Sequence, residues 1–151
     1  FADSAGKVVY YATILHAHNL KVAALLDSDS AGEQAAKQEH LIHTLGNKKI
    51  LRTKDFCTKI PVSKPEIEDL LRKTLTKLVK VEYDIDIQNT VNNQPNRPII
   101  DIFSNNITNF SKYRLAKAYV RWTRNNEAKD LTDIEREQWA ELINQINKVL
   151  K

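Results

Sequence analysis

The stretch that most constrains the fold is Lys21-Val22-Ala23-Ala24-Leu25-Leu26-Asp27-Ser28-Asp29-Ser30-Ala31-Gly32. Its short, dense apolar run predicts a strand buried on both faces, as in a parallel sheet, with Asp27 ending it. Parallel strands need a crossover, usually a helix. The flanks supply candidates. Val8, Tyr11, Ile14, Leu15 and Ala17 predict a helix over Val8 to Asn19, stopped at Asn19-Leu20. Ala35, Leu41, Ile42 and Leu45 predict a second over Ala31 to Leu45, stopped at Gly46-Asn47. Lys48 to Leu51 then reads as a second strand, and Phe1 to Lys7 as a loop. This rhythm implies an α/β fold with a parallel sheet flanked by helices.

The rest of the chain is read from weaker signals. Thr53 to Pro65 carries Pro61 and Pro65 and predicts a loop. Pro65-Glu66-Ile67-Glu68-Asp69-Leu70-Leu71 predicts a helix start, with proline in the first turn and acids at the positive end of the helix dipole. Val81 to Ile87 alternates apolar and acidic residues, as an exposed strand would. Asn89 to Pro98 is rich in Asn and predicts a loop. Ser111 to Thr123 and a segment from Thr132 to Leu150 predict helices. The second opens on the capping box Thr132-x-x-Glu135 and carries Trp139, Leu142, Ile143, Ile146 and Leu150 as its apolar stripe. No internal repeat stands out.

Two carboxylates at i and i+2 beyond a strand end can converge on one cation, and open α/β folds bind ligands at that edge of the sheet. Oxygen ligands suit Mg²⁺ or Mn²⁺. Capping of the following helix is the plainer role for the same acids. An EF-hand calcium loop fails at Ala31 and Gln38, its fifth and twelfth positions. A haloacid-dehalogenase-type phosphatase expects Thr or Val where Ala31 stands.

The run Lys21 to Glu33 resembles the DxD strand of a Toprim domain, the metal-binding fold of topoisomerases and primases. Pro65 to Leu71 resembles the acidic segment of OLD-family (overcoming lysogenisation defect) nucleases, which join an ABC-type ATPase to a Toprim nuclease. Phe1 to Val9 is similar to the segment that precedes the DxD strand there. The resemblance covers roughly residues 1 to 75 and extends more weakly beyond. It implies a partial Toprim core over 1–78 and a mostly helical extension of the same nuclease domain over 79–151. It also implies metal ligation by Asp27 and Asp29, with a further carboxylate from Glu66 or Glu68 and Asp69 as a third candidate; Glu68 is favoured. Lys112, with Lys117 as alternate, matches a lysine that the family places near the metals. The implied activity is cleavage or nicking of DNA by two-metal phosphodiester hydrolysis with Mg²⁺ or Mn²⁺. The implied partners are DNA, an ATPase domain in the same polypeptide, and further copies of the parent protein. A non-catalytic Toprim-like unit that docks nucleic acid or protein is the other reading. The family's first-strand glutamate, in a Glu-Gly-x-x-Asp motif, has no counterpart in this sequence. Nor is there a Gly-x-x-x-x-Gly-Lys-Ser/Thr loop. The chain opens on Phe1 and contains no Met, so the expectation is a piece of a longer protein, weak or inactive alone.

Charge is compatible with DNA. Lys+Arg 23 against Asp+Glu 19 gives +4, a mild balance that permits an anionic partner without demanding one. Lys48, Lys49, Arg52, Lys54 and Lys59 cluster after the DxD helix and are candidate phosphate contacts, or else a solvated face. Cys57 is the only cysteine, which excludes an internal disulfide and suits a reducing, cytoplasmic setting. It has no nearby His to activate it. His40 and His43 lack a third ligand, and His16 and His18 cannot share a helix face. Trp122 and Trp139 read as core residues. No apolar run is long enough to cross a bilayer, so no membrane partner is expected.

Overall fold

The computed structural model describes residues 4–151 as a mixed α/β arrangement in which helices surround a two-stranded parallel sheet. Strand β1 (Ala24–Leu26) lies beside β2 (Ile50–Arg52), with Ala24 opposite Ile50 and Leu26 opposite Arg52. The crossover between them runs through two helices. The parallel pairing and the helical crossover follow the sequence reading. Several details do not.

Helix α1 (Ala5–Ala17) begins inside the segment expected to be a loop, and Phe1 to Asp3 lie outside the described residues. β1 is not buried on both faces. Ala24 and Leu26 are buried, whereas Leu25 is 37% exposed. The single helix expected over Ala31 to Leu45 is two, α2 (Ser30–Ala36) and α3 (Glu39–Leu45). An unbroken helix would set Ala35 and Leu41 about 120° apart around its axis. The extended backbone at Gln38 rephases the chain, so Ala35, Leu41 and Leu45 are all buried in one cluster. Gly46, at φ 76°, ends α3 in a conformation that side chains disfavour. β2 starts later than expected because Asn47–Lys49 form a 3-10 turn.

Pro65 precedes the next helical segment rather than opening it. A 3-10 turn over Ile67–Leu71 leads into α4 (Arg72–Tyr83), which contains residue 78. The strand expected over Val81 to Ile87 is absent. Val81 to Tyr83 finish α4, Asp84 closes it in the left-handed region, and Ile85 and Ile87 turn into the helical core. Alternation there marks core contacts made by a bend. The loop expected over Asn89 to Pro98 is half helix, α5 (Gln88–Asn93). Its Val91 is buried, and Gln88 Nε2 donates to Asn92 Oδ1 one turn on. α6 (Ile99–Asn106), α7 (Lys112–Trp122) and α8 (Asp133–Val149) complete the chain. Ser111 caps α7. Thr132 and Glu135 form the expected box at α8, and the Glu135 carboxylate also accepts from the Thr74 N–H and hydroxyl at 2.8 and 2.9 Å. Leu142 is buried and Trp139 and Ile146 pack beside it, but Ile143 faces solvent.

Three apolar clusters result. One joins α1, β1, α2 and α3. The largest lies among α4 to α7. The third, Leu51, Phe56, Cys57, Leu70 and Leu142, ties β2 and the loop after it to α8. Among the described residues, no helix is long and apolar enough to cross a membrane.

Candidate functional site

The DxD turn is fixed from three sides. Asp29 is the N-cap of α2, its Oδ1 accepting the Gly32 N–H at 2.7 Å. The plainer role of this acid is therefore realised, with its second oxygen lacking a hydrogen-bond partner among the described residues. Gly32 is there for space: a Cβ would stand 1.9 Å from the Asp27 carbonyl oxygen. Asp27 turns its carboxylate toward the acidic segment, where Oδ1 accepts the Ile67 N–H at 2.9 Å. That amide lies between Glu66 and Glu68 in the chain, so one hydrogen bond brings the two acidic stretches together across 40 residues.

Between the aspartates, Ser28 is buried, and Thr53, directly after β2, is fully so. The Lys54 N–H donates to Ser28 Oγ at 2.9 Å, and Thr53 Oγ1 donates to the Pro65 carbonyl at 2.6 Å. Each hydroxyl has one proton. With Thr53 committed to Pro65, the 3.2 Å contact between the hydroxyls has Ser28 as donor. The Ser28 N–H also reaches the Pro65 carbonyl, at 3.0 Å. This relay sets the height of the acidic segment against the strand ends. No sequence motif marks it. The available signal was a hydroxyl residue just beyond each of two adjacent strands.

Lys112, on the first turn of α7, closes the site. Its Nζ lies 3.1 Å from Glu66 Oε2 and 3.0 Å from Glu68 Oε1. Partial burial works against its charge, but Glu68 and then Glu66 outweigh that and hold the ammonium pKa above its usual range. The Asp27 pKa is raised too, which for a carboxyl favours the neutral form. Burial raises its pKa most; the Ile67 N–H and Lys112 pull down, while Glu68 and Asp29 add to the rise. Asp27, Asp29, Glu66, Glu68 and Lys112 are thus electrostatically one group. Lys117 is elsewhere, over the Tyr113 ring at 4.5 Å.

Asp69 does not belong to the site. It is fully buried, accepts the Glu66 and Ile99 N–H groups at 3.0 and 2.9 Å, and pairs with Arg72 at 3.0 Å. Burial lifts its pKa to about 6 against those hydrogen bonds and the Arg72 charge. Arg72 in turn donates to the carbonyls of Arg97 and Gln94, so this pair anchors the loop before α6. Of the candidate phosphate contacts, Arg52 and Lys54 are held by Glu33 on α2. Lys48 and Lys49 occupy the 3-10 turn before β2 and have no acidic partner among the described residues. Lys59 is exposed.

The donor set is all oxygen, which matches the preference of Mg²⁺ and Mn²⁺. Glu68 Oε2 is a buried carboxylate oxygen with no hydrogen-bond partner, and the raised Asp27 pKa marks a second carboxylate whose charge is undercompensated. A cation would relieve both. Among the described residues, however, no three or more His, Cys, Asp or Glu side chains are gathered into a metal-holding group. The chemistry of the donors fits a cation, while Lys112 holds the two glutamates and backbone N–H groups hold Asp27 and Asp29. Comparison with protein-family models, curated proteins and solved structures returns no significant match.

Proposed function

We propose that this chain is the Toprim-like portion of an OLD-family nuclease, a cytoplasmic Mg²⁺- or Mn²⁺-dependent endonuclease that acts on DNA in a polypeptide also carrying an ATPase domain. The observation that carries the reading is the convergence of Asp27, Glu66, Glu68 and Lys112, drawn from three distant stretches, beyond the C-terminal ends of two parallel strands. Asp27 and Glu68 would hold the cation, with Asp29 and Glu66 beside them. A divalent cation at such a site supplies Lewis-acid charge for phosphodiester hydrolysis. Lys112 would then be released from its glutamates to neutralise charge on the phosphoryl group as the bond breaks. Lys48 and Lys49 would contact the DNA backbone, and Arg52 and Lys54 would do so on leaving Glu33.

Nicking of supercoiled DNA in Mn²⁺ by the intact parent protein tests the proposal. Asp27→Ala should abolish it, and undiminished cleavage would sink the metal assignment. The Lys112 bridge favours a second reading, since an internal cation already neutralises the glutamates: a Toprim-like module that binds nucleic acid without cutting it. Calorimetric titration with Mn²⁺ separates the two. Heat that vanishes in Asp27→Ala supports the nuclease. DNA binding with no Mn²⁺ uptake at millimolar concentration supports the module.

A further inference from the structure

Among the described helices, α7 alone combines four Lys or Arg side chains with no acidic residue. The helix contains Lys112, Arg114, Lys117 and Arg121 and no acidic residue. Leu115 and Ala118 bury its inner side, where it packs on α4. Its cations divide into two groups. Lys112 is held by Glu66 and Glu68, and Arg114 and Arg121 are held by Glu82. Lys117, and Arg124 just past the helix end, have no acidic partner among the described residues.

Those two cations alternate with apolar groups along one line. Tyr113, Lys117 and Val120 follow at i, i+4 and i+7, which places them on a single helical ridge, and Arg124 follows in the turn beyond the helix end. Tyr113 is 69% exposed and Val120 is 55% exposed. The Lys117 ammonium sits 4.5 Å from the Tyr113 ring centre. An aromatic ring held out in water, steadied by a cation on one face, leaves its other face for a planar partner. The line starts one residue from Lys112, hence at the edge of the carboxylate group, and Tyr113 and Val120 lie about 10 Å apart along the axis.

We propose that this ridge binds single-stranded nucleic acid, with a base stacked on Tyr113 and backbone phosphates on Lys117 and Arg124. Cations without acids attract the phosphodiester backbone, and an exposed aromatic beside them is the combination that holds single strands without reading sequence. Duplex DNA has no free base face to offer Tyr113 and gains only the charge contacts. The inference deepens the nuclease reading by naming single-stranded DNA as the form led to the carboxylates, and it rests on that reading only for what the bound strand is for.

The test uses the 151-residue chain and fluorescein-labelled oligo-dT, read by anisotropy in EDTA so that no metal-dependent step contributes. Binding should weaken about tenfold to a hundredfold in Tyr113→Ala and return in Tyr113→Trp, in keeping with the usual worth of one base–aromatic stack. The double variant Lys117→Gln/Arg124→Gln should lower the slope of log affinity against log salt by about 1.4, for two phosphate contacts to a single strand. All three variants should keep the wild-type far-UV circular dichroism. Equal binding by wild type and Tyr113→Ala would overturn the proposal. So would polyglutamate displacing the oligonucleotide from wild type and Tyr113→Ala at the same concentration, which would make the ridge a surface for acidic proteins. Absence of Mn²⁺-dependent nicking by the intact parent protein, with oligonucleotide binding by the 151-residue chain intact, would count against the nuclease and leave the ridge standing.

Discussion

The two ends of the molecule are built from different materials. Around β1, the buried cluster is Ala12, Ala24, Leu26, Ala35, Leu41 and Leu45, half of it alanine. Among α4 to α7 it is Leu71, Leu75, Val79, Ile87, Val91, Ile99, Ile102, Phe103, Ile107 and Leu115. Burial of apolar area is the main stabilising term, and an alanine contributes little of it. The β1 end also leaves Tyr10, Tyr11, Ile14, Leu15, Leu20 and Leu25 exposed. Asp27 and Asp29 therefore stand on the weaker end, while Glu66, Glu68 and Lys112 stand on or beside the stronger one. The Ser28–Thr53–Pro65 relay and the Asp27–Ile67 hydrogen bond join them. The carboxylates can be brought together only while that joint holds.

The comparison can be broken first at its strong end. Asp69→Ala should cost about 3–5 kcal/mol, because it leaves Arg72 as a buried unpaired charge. It also removes the acceptor of two backbone amides. Urea denaturation should show loss of the whole cooperative transition. Gly32→Ala strikes the weak end and should cost about 1–3 kcal/mol, as the new methyl forces the α2 entrance away from the Asp27 carbonyl. Hydrogen exchange should report it as opening of residues 24–45 with α4 and α6 still protected. Equal loss of protection at both ends would show that the two clusters are not separable. Thr53→Val tests the joint. It keeps the shape, removes the hydroxyl between Ser28 and Pro65, and should cost about 1–2 kcal/mol.

The smallest expected effect is at Cys57, in the cluster between the two ends. Burial, and next the Asp69 charge, push its thiol up to about 11 from 9.0. At pH 8 that lowers the thiolate fraction about a hundredfold, so iodoacetamide should react with the native protein at about a hundredth of the rate in urea. A raised thiol pKa favours the folded protein's proton. This contribution is neutral below about pH 9 and lowers stability as pH rises from 9 toward 11.

How much of this was legible in the sequence follows the same division. The parallel pair, its helical crossover, the capping box at Thr132 and the helix that opens at Ser111 rest on local pattern, and the structure contains them. The errors lie where tertiary contacts override local signals. Ile85 and Ile87 alternate with acids because a bend feeds them to the helical core, so their period of two is not a strand's. The break at Gln38 answers a phase problem set by the sheet. At the site, the i, i+2 pattern points to Asp27 and Asp29 and the resemblance to Glu66, Glu68 and Lys112, and the fold brings them together. Asp69 was a ligand candidate that the fold uses for Arg72. Ser28 and Thr53 were passed over because a relay across 25 residues has no local spacing.

The distances in sequence have a kinetic meaning. The Asp27–Ile67 hydrogen bond spans 40 residues, and the Lys112–Glu66 contact spans 46. Contacts that close such long loops are costly to form early. The carboxylate site is then expected to condense after the rate-limiting barrier. Substitutions at Asp27, Glu66 or Lys112 should leave the folding limb of a chevron plot in place and move only the unfolding limb, with φ-values near zero. A site assembled on the native side of the barrier can be retuned by mutation without slowing the protein's route to its fold.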